Sequence, residues 1–205
     1  MVHEGRRVQL TIDLDLQRAA EEGFKAGGFN GAAVVMDPRT GEVLAFTSVP
    51  GYDPNDFAAG IDRATWAALN TDQLKPLQNR AIQGRYSPGS TFKMVTALAA
   101  LEAGVISPDE EVYCPGFTQL GDRKFHCWRR GGHGHVSLQQ SLERSCDVYF
   151  YEVAQRVGID KIAEMGRRLG LGTRHDLPMS AITEGNMPDK AWKLAAKKAE
   201  WVIGD

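Results

Sequence analysis

The sequence predicts an α+β fold, with strands near the N-terminus and helices over most of the rest. Residues 32–36 and 43–48 alternate β-branched and other side chains, and the stretch between them, 37–42, has the turn chemistry of a β-hairpin. From Ser90 onward the hydrophobic pattern is mostly helical. A strand-containing segment followed by a helical one is typical of the α+β class.

Length and composition exclude several classes of protein. A chain of 205 residues can bury the core of one domain, or of a domain with a small lobe. Its net charge of -2 gives no nucleic-acid-binding footprint. All apolar runs are short, so no membrane span is predicted. Residues 1–6 lack an apolar segment, so we predict no signal peptide.

The N-terminal pattern continues the strand and helix assignment. Residues 8–12 are predicted to form a strand and residues 15–25 a helix, followed by the hairpin. Further along, a helix is predicted to start at Ser90, and residues 94–103 are strong helix formers, with Gly104 as the expected C-cap. Residues 107–135 are expected to be irregular, and two amphipathic stretches follow, at 136–144 and 148–157.

The helix predicted to begin at Ser90 carries the most informative motif, Ser-x-x-Lys. Ser90 and Lys93 stand one helical turn apart, so the lysine amine can reach the serine oxygen. A serine becomes a nucleophile when a neighbouring base takes its proton, and a lysine serves when burial and a helix N-terminus disfavour its ammonium form. The amides at the helix start are also placed to stabilise an oxyanion. The motif therefore indicates acyl transfer.

Taken alone, this motif is a weak signal. About one chance match is expected in a chain of this length, and an N-capping Ser90 beside an exposed Lys93 is the alternative. A second element, Ser145-Cys146-Asp147, lies downstream between the two amphipathic stretches. This second element favours the catalytic interpretation because of the family resemblance that both elements carry.

Both elements resemble motifs of penicillin-recognising enzymes. Residues 85–93 look like the nucleophile segment of class B penicillin-binding proteins, the peptidoglycan transpeptidases, and residues 145–147 resemble their Ser-x-Asn/Asp motif. The resemblance covers nearly the whole chain and narrows to the elongation type, penicillin-binding protein 2. The other similar segments are residues 10–17, 31–54, 132–134, 185–188 and 192–193.

This resemblance implies the penicillin-binding protein transpeptidase fold, which is shared with serine β-lactamases, and a mechanism. Ser90 would attack the D-Ala-D-Ala carbonyl of a stem peptide and release D-alanine, and the amine of a neighbouring stem would resolve the acyl-enzyme. Lys93 would be the general base, Ser145 would relay a proton towards the leaving group, and Asp147 would orient Ser145 and the substrate amide. A β-lactam would acylate the same serine. Asp147 stands where the family usually has Asn.

The family's third motif, Lys-Ser/Thr-Gly, is absent from the sequence. We therefore expect residues 1–205 to be the N-terminal part of one transpeptidase domain, truncated before the last sheet strands, with weak or absent acylation. Residues 1–60 would form the strands and helix of a sheet lobe, and residues 61–205 a mostly helical lobe with a zinc-stabilised loop at 107–146. An incomplete sheet exposes a pairing edge, so self-association is expected.

Cysteine and histidine residues cluster in the middle of the chain. Three thiolates and one imidazole make a tetrahedral zinc set. The resemblance assigns such a set here, and on that match alone His133 is preferred to His135. The implied ligands are Cys114, Cys127, His133 and Cys146.

Zinc at these positions would have a structural role. It would pin the Gly-rich, charged loop of residues 107–135 to Cys146, inside the second catalytic motif. Two alternatives stay open. One is a Cys114–Cys127 disulfide in an oxidising periplasm, with Cys146 as a buried thiol, and the other is three unrelated cysteines.

The resemblance also implies partners and a location. The partners are peptidoglycan stem peptides, β-lactam antibiotics and a membrane glycosyltransferase of the elongation machinery, with no nucleic acid and no organic cofactor. The location is the periplasmic face of the bacterial inner membrane, with the membrane anchor absent from this chain. A serine β-lactamase, which needs a base to activate a deacylating water, and a non-catalytic penicillin-binding sensor are the alternative functions.

Overall fold

The computed structural model describes residues 7–58 and 60–203. Two compact units divide the chain. The first comprises Met1–Arg85 and Pro178–Thr183, and the second comprises Tyr86–Leu177 and Glu184–Asp205. No helix among the described residues combines the length and the apolar character that a membrane span requires.

An antiparallel hairpin is the central element of the first unit. Strand β1 (Gly31–Met36) pairs with β2 (Val43–Val49), and a bulge interrupts the ladder at the end of β1. The turn closes through a bond from the Asp37 N–H to the Glu42 carbonyl (2.9 Å). The predicted hairpin is confirmed.

Helix α1 (Leu14–Gly27) confirms the predicted N-terminal helix. The Asp13 carboxylate caps its first turn, and Gly28 ends it with a left-handed φ of 64°. The helix packs on β2, where the Gln17 side chain accepts the Phe46 N–H (2.8 Å) and donates to the Phe46 carbonyl (3.3 Å).

The strand predicted over residues 8–12 is wrong. Residues 8–12 do not pair with another strand in a β-ladder. This part of the chain contacts β2 through two separate bonds, from the Thr11 hydroxyl to the Val43 carbonyl (2.6 Å) and from the Asp13 N–H to the Leu44 carbonyl (2.8 Å). Sequence alternation makes a strand only where successive backbone groups find partners. The other helices described in the first unit are short: α2 (Asn55–Ala58), α3 (Arg63–Thr71) and α4 (Arg80–Gln83).

The second unit is built mainly from helices around one hydrophobic core. Its helices are α5 (Lys93–Glu102), α6 (Leu138–Glu143), α7 (Asp147–Val157), α8 (Ile159–Arg168) and α9 (Lys190–Lys197). Helix α5 packs against α7 and α8. Ala100 and Val153 are fully buried in this core, and Tyr149 is 1% exposed.

The predicted end of α5 is confirmed. Gly104 has φ 65°, its N–H bonds the Leu101 carbonyl (3.0 Å), and the Val105 N–H bonds the Ala100 carbonyl (3.1 Å). This is a Schellman C-cap. The start differs from the prediction, because Gly89–Phe92 forms a turn of 3₁₀ helix before the α-helix begins.

Residues 107–135 are irregular only in part, because short strands interrupt the segment that was predicted to be irregular throughout. Strand β3 (Val112–Cys114) pairs with β6 (Gly134–Val136), and β4 (Phe117–Leu120) pairs with β5 (Arg123–His126), both antiparallel. Each strand has only three or four residues, too few for a period-two pattern to stand out. Tertiary contacts, rather than local propensity, order this segment.

Candidate active site

The turn of 3₁₀ helix before α5 positions the predicted nucleophile. Ser90 lies in this turn and is exposed, and Lys93 is the first residue of α5. Residues three apart in a 3₁₀ turn are eclipsed, so both side chains point to the same side. The Lys93 side chain is only 12% exposed. One residue of the pair thus meets solvent while the other is largely buried.

The second predicted motif lies in the tight connection between α6 and α7. Ser145 has a left-handed φ of 51°, which is uncommon for a residue other than glycine. Its N–H bonds the Leu142 carbonyl (3.2 Å), and the next N–H, of Cys146, bonds the Ser141 carbonyl (2.8 Å). Backbone strain of this kind persists where the surroundings impose it.

The structure brings the four predicted catalytic residues together. The Lys93 Nζ donates to the Ser145 carbonyl (2.9 Å), to the Ser145 Oγ (3.0 Å) and to the Asp147 Oδ1 (2.6 Å). The Ser145 Oγ in turn donates to the Ser90 Oγ (2.8 Å). Three acceptors match the three N–H groups of an ammonium.

The route between the base and the nucleophile differs from the sequence interpretation. Among the described residues, no hydrogen bond joins the side chains of Lys93 and Ser90 directly, and the Ser145 hydroxyl is the link between them. Asp147 bonds Lys93 rather than Ser145, and its second oxygen accepts the Trp128 N–H (2.9 Å). The arrangement is a continuous chain from carboxylate to ammonium to two hydroxyls.

A cysteine–histidine cluster lies beside this chain. The side-chain ligand atoms of Cys114, Cys127, His133 and Cys146 all lie within 4.8 Å of one another, and the three cysteines are free thiols. His135 lies elsewhere, with its Nδ1 3.8 Å from Glu111. The structure therefore groups the four predicted ligands and contains no Cys114–Cys127 disulfide.

The dimensions of the cluster fit a tetrahedral ion. The His133 Nδ1 lies 3.8 Å from the Cys114 Sγ and 3.5 Å from the Cys127 Sγ. Zinc bonds of about 2.3 Å to sulfur and about 2.0 Å to nitrogen place ligand atoms about 3.5–3.8 Å apart. The buried His133 Nε2 lacks a hydrogen-bond partner among the described residues. The nitrogen of His133 that faces the cysteines is therefore its Nδ1.

Burial and backbone amides set the titration of the cluster. Burial opposes the Cys127 thiolate, yet N–H groups of Arg129, Asp147 and Val148 lower the pKa of this thiol below its usual value. Burial raises the pKa of Cys146 to about 12. Burial, and then the neighbouring arginines, lower the pKa of His133. A neutral imidazole is the form that binds a metal, and a bound cation would overcome the cost of ionising Cys146.

Trp128 is the site residue that the sequence analysis missed. It follows Cys127 and connects the cluster to Asp147 through its backbone N–H. Its position next to a predicted metal ligand was the available signal. Its contacts depend on tertiary packing, which no spacing rule describes.

The comparisons with known proteins give the family. A model of the penicillin-binding protein transpeptidase domain matches residues 31–205. The chain belongs to this family. The predicted α+β transpeptidase fold and the resemblance to penicillin-binding protein 2 are confirmed.

Named relatives of the transpeptidase chain support this assignment. Peptidoglycan D,D-transpeptidase MrdA of Escherichia coli K12 is 41% identical over 203 residues, which cover 98% of this chain and 32% of the relative. The chain thus spans about a third of the length of the curated relatives that it matches.

Two solved structures superpose closely on the transpeptidase chain. PBP2 of Pseudomonas aeruginosa in complex with WCK 5153 has a TM-score of 0.89 at 42% identity, covering 95% of this chain and 44% of that one. PBP2 of Helicobacter pylori in complex with MreC has a TM-score of 0.89 at 35% identity, covering 95% and 36%.

Proposed function

We propose that the chain carries the acylation centre of a peptidoglycan D,D-transpeptidase that acts through a serine acyl-enzyme. The observation that carries the proposal is the unbroken chain of hydrogen bonds Ser90–Ser145–Lys93–Asp147. Membership of a family whose curated relatives are named D,D-transpeptidases supports the reaction type. The substrate would be the D-Ala-D-Ala end of a stem peptide.

The acylation step follows from the hydrogen-bond chain. For this step the Lys93 ammonium must first release a proton, and the Ser145 hydroxyl must turn from Ser90 to the neutral amine. The Ser90 Oγ then attacks the carbonyl carbon of the penultimate D-alanine, and its proton passes through the Ser145 hydroxyl to Lys93. When the tetrahedral intermediate collapses, the C–N bond breaks, and the proton returns through Ser145 to the leaving amine of D-alanine. The resulting ester on Ser90 is the acyl-enzyme. The amine of a second stem peptide then attacks that ester, a new amide forms and Ser90 regains its proton.

Asp147 acts on this step through Lys93. Its carboxylate lies 2.6 Å from the Lys93 Nζ, so it stabilises the ammonium that forms when Ser90 loses its proton. A neutral Asn at this position would hold the amine by a hydrogen bond but would not offset its charge. The acidic residue thereby favours proton transfer to Lys93 once attack has begun.

We also propose a structural zinc ion held by Cys114, Cys127, His133 and Cys146. The fit of the ligand distances and the free thiols support this proposal. The ion would supply no chemistry to the acyl transfer. It would fix the backbone at Cys127 and Cys146 and so hold the Ser145–Asp147 segment.

The proposed partners and location come from the relatives. A Helicobacter pylori relative forms a complex with MreC, and we propose an elongation assembly of that kind, with a glycosyltransferase, for the protein that works through this site. Its place would be the periplasmic face of the inner membrane, where stem peptides are cross-linked. β-Lactams would acylate Ser90 in place of the stem peptide.

Intact mass spectrometry after incubation with benzylpenicillin tests the acylation centre. We expect a slow but persistent adduct of one penicillin, which is absent from the Ser90→Ala variant. A Thr91→Ala variant is the matched control, since the Thr91 hydroxyl bonds the Pro88 carbonyl (2.6 Å) rather than a residue of the hydrogen-bond chain, and this variant should still be labelled. No adduct after prolonged incubation at high penicillin concentration, or an adduct that survives Ser90→Ala, would contradict the proposal. Rapid loss of the adduct with turnover would instead indicate a β-lactamase.

Metal analysis tests the second proposal. We expect one zinc per chain under reducing conditions and, after exchange with Co²⁺, the visible absorption of a tetrahedral thiolate site. The Cys146→Ser variant should lose both signals, whereas His135→Ala should keep them because His135 lies outside the cluster. A metal-free chain with a mass two hydrogens lower would show a disulfide and refute zinc.

A further inference from the structure

Trp128 makes two polar contacts that lie on either side of Ser145 in the chain. Its indole Nε1–H donates to the Arg144 carbonyl (3.0 Å), and its backbone N–H donates to the Asp147 Oδ2 (2.9 Å). Its ring meets His133 edge-on at a centroid distance of 5.5 Å. One residue therefore touches the cluster, the peptide before Ser145 and the carboxylate after it.

Hydrophobic burial does not explain why a tryptophan occupies position 128. Its exposed fraction is 65%, so little of the usual hydrophobic contribution of an indole is realised here. What the side chain adds is a hydrogen bond to the peptide that joins Arg144 to Ser145. That bond fixes the plane of the peptide at the residue with the left-handed φ of 51°.

The orientation of this peptide matters to Lys93. Ser145 offers Lys93 both its carbonyl (2.9 Å) and its hydroxyl (3.0 Å), and the same hydroxyl reaches Ser90. A rotation of the backbone at Ser145 would displace both acceptors together. The strained φ adds a cost that the contacts of this turn must offset; these are the bond from the Ser145 N–H to the Leu142 carbonyl and the bond from Trp128 to the Arg144 carbonyl.

We propose that Trp128 is a positioning residue for the acylation centre. Its indole N–H holds the 144–145 peptide, and its backbone N–H holds Asp147. The two residues that accept hydrogen bonds from Lys93, Ser145 and Asp147, thereby keep their positions relative to the cluster. The catalytic meaning of this role rests on the proposed function, whereas the positioning itself can be measured without any turnover.

The test follows the Lys93 ammonium by NMR in the metal-loaded chain labelled with ¹⁵N-lysine. A largely buried ammonium with three acceptors exchanges its protons slowly with water, and a Lys93→Arg variant assigns its signal. Trp128→Phe keeps an aromatic ring against His133 but removes the Nε1–H. Trp192→Phe, in helix α9, is the matched control. The Co²⁺ spectrum of each variant reports whether the cluster is intact.

We expect proton exchange of the Lys93 ammonium to be about tenfold faster in Trp128→Phe, the factor that corresponds to the loss of one hydrogen bond. Trp192→Phe should leave the exchange unchanged, and the Co²⁺ spectrum should be the same in all three chains. Unchanged exchange in Trp128→Phe would overturn the proposal. A lost Co²⁺ spectrum in Trp128→Phe would also overturn it, because Trp128 would then support the cluster rather than Ser145. Neither result bears on penicillin labelling of Ser90, which tests the proposed function separately.

Discussion

The ion pair between Lys93 and Asp147 should stabilise the second unit measurably, and Asp147→Ala is the informative change. The Nζ–Oδ1 distance is 2.6 Å, and the two side chains are 12% and 24% exposed. Truncation leaves the ammonium with only its two Ser145 acceptors and leaves the Trp128 N–H without its carboxylate. Both losses destabilise the folded chain.

Two limits bracket the size of the effect. Coulomb's law at 2.6 Å with an effective dielectric constant of about 20 gives about 6 kcal/mol, which is an upper bound. Exposed ion pairs contribute about 0–1 kcal/mol, and breaking a fully buried pair costs about 3–5 kcal/mol. A pair with these exposures belongs between those classes, so we expect Asp147→Ala to lower the free energy of unfolding by about 2–3 kcal/mol.

A double-mutant cycle isolates the pair from the rest of the network. Asp147→Ala, Lys93→Met and the double variant are unfolded in urea at neutral pH, with zinc added to every sample. Unfolding is followed by near-UV circular dichroism. We expect a coupling energy of about 2 kcal/mol between the two residues. A coupling energy below about 0.5 kcal/mol would refute the reasoning, because it would place the pair among solvent-screened surface contacts.

Three further changes test the core, the cluster and the acid response. Val153→Ala, at a fully buried position, should lower the free energy of unfolding by about 2 kcal/mol in urea titrations. Gly132→Ala should weaken Co²⁺ binding at least about tenfold, since its Cβ would lie 2.2 Å from the Cys114 carbonyl at a φ of 76°, whereas Gly131→Ala, with open space around it, should bind normally. A backbone N–H of α9 and then an arginine guanidinium lower the pKa of the Asp189 carboxyl in the folded chain. The Asp189 carboxylate therefore stabilises the fold fully at pH values above its pKa in the unfolded chain, and this stabilisation is lost as pH falls through its pKa in the folded chain. Acid unfolding followed by circular dichroism should therefore be less steep in Asp189→Asn, and an unchanged acid transition would contradict this.

Local patterns sufficed to predict the hairpin and the main helices. The strands β1 and β2 alternate along six or seven residues, and the end of α5 at Gly104 requires a conformation that glycine adopts freely. The same reasoning failed for residues 8–12, where alternation exists without ladder partners. It also failed for β3–β6, whose order depends on contacts between distant segments.

The close approach of two loops shows why the second failure was unavoidable. A Cβ on Gly116 would lie 2.1 Å from the Arg130 carbonyl, and one on Gly132 would lie 2.2 Å from the Cys114 carbonyl. Glycine at these positions allows the backbones on either side of the cluster to touch. A single sequence shows the glycines but not the partners that they approach, so it does not predict the short strands beside the cluster.

For the candidate site, too, some features were predictable from the sequence and others were not. Ser90, Lys93, Ser145 and Asp147 were accessible from spacing and family resemblance, because acyl transfer needs a fixed set of groups. The resemblance assigned Ser145 a proton relay, but its position between Lys93 and Ser90 was not accessible, because that depends on the φ of 51° at Ser145 and on the turn that imposes it. Sequence motifs name the reacting groups, whereas the backbone conformation decides which of them touch.

The cysteine–histidine cluster lies at the start of α7, and this position explains why the Asp147 carboxylate is available to accept a hydrogen bond from Lys93. An acidic side chain at the start of a helix ordinarily bonds the free N–H groups of its own first turn. In α7, the N–H groups of Asp147 and Val148 instead point to the Cys127 sulfur. A thiolate held there satisfies these donors and complements the positive end of the helix, so both Asp147 oxygens remain available to Lys93 and Trp128. The cluster next to the second motif thus has a direct electrostatic consequence for the Lys93 ammonium.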